Sequence, residues 1–103
     1  MDVKVTKDAD LLICTAYKLY LQRRKLGKDK SSACIFGTDD ISCELQDWSI
    51  SDIEITASEL ARSKLVKKYV RGFKIKTSGI IYMENRFKNG LLEVIDVISK
   101  LKS

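Results

Sequence analysis

Histidine and proline are absent from the 103 residues, and cysteine occurs only three times. Without histidine the chain lacks the commonest general base, metal ligand and pH switch, which excludes Ser-His and Cys-His nucleophiles. Cys14, Cys34 and Cys43 are odd in number and far apart, without the paired spacing of a zinc or thiol-redox site, and are expected as free thiols. The five glycines are scattered singly, so no glycine-rich phosphate loop can form. No apolar run approaches the roughly 18 residues of a membrane span. Residues 1–10 are too polar for the apolar stretch of a signal peptide, and a cytoplasmic location is expected. The carboxylate pairs Asp39 with Asp40 and Glu54 with Glu59 fall where helix N-termini or solvated faces explain them, so neither an enzyme nor a cofactor or metal site is expected.

Acid is also missing from one particular stretch. Residues 63–77, SKLVKKYVRGFKIKT, hold Lys64, Lys67, Lys68, Arg71, Lys74 and Lys76 and no carboxylate. Without those six, the other 13 Lys and Arg face 14 Asp and Glu, so the net charge of +5 belongs to this stretch. Its apolar and basic residues interleave on either side of Arg71-Gly72, which predicts a β-hairpin with strands over 65–70 and 73–77.

The rest reads as one domain over residues 1–103, 45% hydrophobic and without a linker, repeat or low-complexity tract. Leu12, Ile13, Ala16, Leu19 and Tyr20 predict one buried face of a first helix over 9–26, capped by Thr6 or Asp8 and stopped by Gly27. Its basic end, Arg23, Arg24 and Lys25 followed by Lys28 and Lys30, offsets the negative end of the helix dipole, with a second phosphate-facing patch as the alternative. Residues 27–31 read as a polar turn and 32–36 as a short edge strand. Thr38 then caps a second helix bearing Ile41, Leu45 and Trp48, and a capping box at Ser51 and Glu54 opens a third over 52–62. Thr77 caps a fourth helix through Asn85, and Asn89-Gly90 separates it from a last one over 91–101. That last helix is apolar over more than half its circumference, which calls for a second surface to cover it.

The order α-β-α-α-β-β-α-α resembles a winged helix, a helix-turn-helix variant of α+β class. Leu60 followed by Leu65-Val66 is similar to a third helix running into a first wing strand. Residues 75–85, IKTSGIIYMEN, are similar to the threonine, glycine, tyrosine, hydrophobe, glutamate stretch that closes many wings. Small winged-helix proteins of the YjcQ type come nearest. The resemblance implies a DNA-binding protein and transcriptional regulator. In such proteins the third helix enters the major groove; here it carries Asp52, Glu54 and Glu59, and residues 31–61 hold seven acids and no Lys or Arg. Contact with double-stranded DNA is therefore expected from the wing, through Lys64, Lys67, Lys68, Arg71, Lys74 and Lys76, with Ser58, Arg62 and Ser63 the compatible residues at the end of the third helix. The alternative is a protein-interaction or assembly module whose poles are the acidic face of residues 39–59 and the basic hairpin. A homodimer is expected through Leu91, Leu92, Ile95, Ile98 and Leu101, joined by Leu12, Tyr17 or Tyr20.

Overall fold

The computed structural model describes residues 5–102. Over them the chain runs α1 (Lys7–Lys25), α2 (Lys30–Ala33), β1 (Ile35–Gly37), α3 (Thr38–Glu44), α4 (Ile50–Arg62), β2 (Val66–Tyr69), β3 (Gly72–Ile75), α5 (Thr77–Arg86) and α6 (Leu91–Lys102). The class is α+β, helices around a three-stranded antiparallel sheet ordered β1-β3-β2. The polar turn expected at residues 27–31 contains the start of a helix instead. The Asp29 carboxylate accepts from the Ser32 amide at 2.8 Å and so begins the single turn of α2.

Thr6 caps α1 by accepting from the Ala9 amide at 3.1 Å, and Gly27, at φ +95°, lets the Lys28 amide return to the Arg23 carbonyl at 3.0 Å. Between these ends the expectation of one buried face is too small. Leu11, Cys14, Thr15 and Tyr17 are buried as well as Leu12, Ile13, Ala16 and Tyr20, because α3, α4, α5 and α6 all pack on this helix. A hydroxyl in such a place needs a partner within the helix, and Thr15 donates to the Leu11 carbonyl at 2.8 Å.

The principal neighbour of α1 is α6, which corrects part of the expected dimer surface. Ile98 is buried in the chain's own core, while Leu91 and Leu101 are half-buried. Leu12, Tyr17 and Tyr20 are core residues too, with the Tyr17 ring stacked on Tyr20 and Phe87 at 5.9 and 6.3 Å. Leu92, 81% exposed, and Ile95, 38% exposed, remain outward.

β3 pairs on one side as Ile35 with Lys74, Phe36 with Phe73 and Gly37 with Gly72. On the other side Val66 meets Ile75, Lys67 meets Lys74, Lys68 meets Phe73 and Tyr69 meets Gly72. Strand alternation then sorts the residues by face. Phe36, Phe73, Val66 and Ile75 point into the core, and Ile35, Lys74 and Lys67 form a row on the opposite face. The turn is Val70-Arg71 and not Arg71-Gly72. Gly72 belongs to β3, where a Cβ would fall inside the van der Waals shell of the Phe36 carbonyl oxygen; glycine lets β1 approach.

Thr38 is the first residue of α3 and its cap is Gly37, whose amide donates to the Asp40 carboxylate at 2.8 Å. The helix stops at Glu44, and Trp48 packs half-buried against the core beyond its end. Ser49, not Ser51, caps α4 by accepting from the Asp52 amide at 3.0 Å. This leaves the Glu54 side chain outside the expected capping box. Lys76 is the cap residue of α5, and Thr77 its first helical residue.

Candidate nucleic-acid interface

The base of the hairpin is built by the end of α4. Lys64 takes φ 65°, its amide bonds the Ala61 carbonyl at 3.0 Å and the Leu65 amide bonds the Leu60 carbonyl at 3.2 Å, a Schellman closure with lysine where glycine is usual. From there β2 starts, and α5 clamps the junction. The Ser78 hydroxyl donates to the Lys64 carbonyl at 2.7 Å, the Lys76 amide to the Leu65 carbonyl at 2.9 Å. Gly79 lies against the same Leu65 carbonyl, too close for any Cβ.

Four of the six cations of the hairpin separate into two sets, and the other two lie near its base. Lys68 lies on the inner side, where its ammonium is bonded to the Glu54 carboxylate of α4 and to the Tyr69 carbonyl. Glu54 also accepts from the Thr38 hydroxyl at 2.7 Å. Burial, the largest influence on Glu54, pushes its pKa up, but the bonds from Lys68 and Thr38 and the charges of Lys68 and Arg71 together hold it below the ordinary carboxylate value. Lys68 is thus neutralised by its own chain. Arg71 is exposed at the turn, in a groove with Asp39, Ile50, Glu54 and Val70, and its carbonyl accepts from the Thr38 amide at 3.1 Å. That bond draws the tip down onto the start of α3. The molecule measures 31 × 28 × 27 Å, so the ribbon does not project as an arm.

Lys67 and Lys74 form the second set, directly opposite each other on the outer face. Neither is within 4.0 Å of a carboxylate among the described residues, and the Lys67 ammonium lies 5.7 Å from the Tyr69 ring centre. Lys64 and Lys76 are exposed near the base of the hairpin. Lys30 of α2 shares a cleft with Lys74. Its nearness to Lys74 is not legible in the sequence, because 44 residues separate the two and only the pairing of β1 with β3 draws them together.

The end of α4 offers less than expected. Arg62 is exposed, but the Ser58 hydroxyl is used by the Glu54 carbonyl at 3.1 Å, and Ser63 is the half-buried C-cap. Glu59 accepts from the Thr6 hydroxyl at 3.0 Å. The helix also exposes Ile50 and Ile55, 50% and 57% accessible, with Val70 of the turn 90% accessible. In the basic end of α1, Arg23 is a clamp: it donates to the Ile35 carbonyl at 2.6 Å, pairs with Asp40 at 3.5 Å and lies 4.6 Å over the Phe36 ring.

Among the described residues no group of three or more His, Cys, Asp or Glu could hold a metal ion, and no helix is long and apolar enough to cross a membrane. The chain matches no protein family, no curated protein and no solved structure.

Proposed function

We propose that the chain is a winged-helix domain that binds duplex DNA through the outer face of its hairpin, as a small transcriptional regulator. One observation carries the reading. Lys67 and Lys74 are cross-strand neighbours of like charge with no carboxylate within 4.0 Å among the described residues, an arrangement that destabilises a sheet by a few tenths to about 1 kcal/mol. A phosphate backbone removes that repulsion and gains by counterion release. Edge protection alone needs no such pair, since Lys74 is on the central strand. Lys64, Lys76, Lys30 and Arg71 extend the positive surface. Four or five phosphate contacts correspond to a slope of log affinity against log salt of roughly −4. Anisotropy titration of a labelled random duplex at two salt concentrations tests it. Absence of binding at low salt, or binding indifferent to Lys67→Ala with Lys74→Ala, overturns it.

The exposed Ile50, Ile55 and Val70 beside Asp39 and Glu54 favour a second reading, a module that docks a protein on this face. A protein partner retained by the domain and lost on Ile55→Asp, with no nucleic acid carried through purification, would replace the first reading with this one. Homodimerisation is proposed on the reduced surface of Leu92 and Ile95. A monomer by light scattering at tens of micromolar removes it.

A further inference from the structure

A cleft of about 370 Å³ opens between α1, α2, β3 and α5, within the size range of small-molecule sites. Its walls include Tyr20, Lys30, Cys34, Lys74, Ile80 and Ile81. Its apolar part is made by buried Cys34 and Ile75, half-buried Ile80 and half-exposed Ile81, and Ser31 and Thr77 add hydroxyls to the lining. Two lysines stand on its walls, and neither is within 4.0 Å of a carboxylate among the described residues. One acid, Glu84 of α5, also lines the cleft. A partly apolar lining with two lysines against one acid suits a molecule with a short apolar body and one anionic group. Two anionic groups would meet Glu84, and a neutral molecule would leave the lysines unanswered.

We propose that this cleft binds a small organic acid of that kind and that the bound acid weakens the hold on DNA. The second half rests on the function proposed above; the first does not. The link is Lys74, which belongs both to the outer row with Lys67 and to the wall of the cleft. One ammonium facing a bound carboxylate has less positive potential to offer a phosphate. By linkage, DNA must weaken binding of the acid by the same factor.

Octanoate and its neutral analogue octanamide are suitable probes, with acetate at equal ionic strength as the control. In amide chemical-shift titrations of the full chain without DNA, octanoate should shift Cys34, Ile75 and Ile81 saturably. A ligand of this size is expected at a Kd of roughly 0.1–1 mM. Octanamide should bind at least about 5-fold more weakly, a difference that the double variant Lys30→Ala with Lys74→Ala removes. Ile81→Glu, at an exposed position, should abolish both without unfolding the chain. Equal binding of the two probes overturns the choice of an acid, and no saturable shift below about 10 mM overturns the site. Saturating octanoate should lower affinity for a random duplex several-fold; an unchanged affinity overturns the link through Lys74. A chain that binds octanoate but no duplex refutes the proposed function alone, and one that binds duplex but no octanoate refutes the cleft alone.

Discussion

The ammonium of Lys68, in the first strand of the hairpin, is bonded to the carboxylate of Glu54, in the helix beneath it. This pair joins the most basic segment of the chain to its most acidic one. It takes one cation out of the set available to a polyanion and fixes the hairpin against α4. With side chains 21% and 27% exposed, the pair is accessible enough that its own contribution to stability is at most about 1 kcal/mol.

Glu54→Gln should therefore lower stability by about 1 kcal/mol, with loss of the ion pair partly offset by retention of the Thr38 contact. The same change frees Lys68, so DNA affinity should rise and the salt slope steepen by about one unit. The folded pKa of Glu54 lies below its ordinary value of 4.5, so its contribution is complete above that pH and is lost as pH falls through the lowered value. Urea titrations at pH 7, 4.5 and 3 should show a shallower acid loss in the variant than in the natural chain. An identical acid loss would remove Glu54 as a contributor.

Opposite signs are expected for stability and binding at the lysine pair. Lys74→Glu converts a repulsive cross-strand neighbour of Lys67 into an attractive one, which should stabilise the free chain by about 0.5 kcal/mol. Affinity for duplex should fall by 10-fold or more, since a phosphate contact becomes a repulsion. Thermal melts and anisotropy on the same samples check both. If stability and affinity fall together, the variant has merely damaged the fold.

Gly72 and Gly79 should tolerate no side chain. A Cβ on Gly79 meets the Leu65 carbonyl and stands 2.9 Å from the Ile75 Cγ2, and one on Gly72 meets Phe36 and stands 3.1 Å from the Gly37 Cα. Since the obstacles are mostly backbone, either alanine variant should lose about 3 kcal/mol, seen as a lower urea midpoint. Lys64→Gly should act the other way, gaining about 0.5–1 kcal/mol by relieving the left-handed backbone at φ 65°.

Thiol reactivity should separate the three cysteines. Burial first, and then the neighbouring Asp10 carboxylate, push the Cys14 thiol up to about 12, so it stays protonated at any ordinary pH. Asp10 is held in turn by Arg86 through two bonds, one of them 3.0 Å long, and this contact raises the guanidinium pKa. Cys34 is buried, and Cys43 is exposed. A thiol-exchange assay on the folded chain should count one fast thiol, lost in Cys43→Ser. Fast reaction at Cys14 would contradict the packing around α1, and fast reaction at Cys34 its burial beside the cleft.

Much of the local structure was legible because it depends on neighbours in sequence. The Thr6 cap, the Gly27 stop and the alternation from Val66 to Ile75 are each settled within a turn or a strand. Errors fell where a side chain had a distant use. Ser51 and Glu54 satisfy the pattern of a capping box, yet Ser49 caps the helix and Glu54 turns to Lys68 and Thr38. Gly72 looked like a turn glycine and is instead a point of contact between strands. Ile98 looked like an interface residue and is inside the fold, because a helix apolar on most sides can be covered by its own chain as readily as by another.

From the amino-acid sequence alone come the α+β class, the approximate positions of the hairpin and of every helix but α2, and the restriction of excess positive charge to one segment, since all three follow from composition and short-range spacing. Only the tertiary structure decided which of those charges are available. Whether a lysine is neutralised depends on a carboxylate within about 4 Å, and such distances are set by how α4 and β1 lie against the hairpin. That packing ties Lys68 to Glu54 and holds the turn on α3 through the Arg71 carbonyl, while Arg71 itself stays exposed. The same packing leaves Lys67 and Lys74 side by side, with no carboxylate within 4.0 Å of either among the described residues.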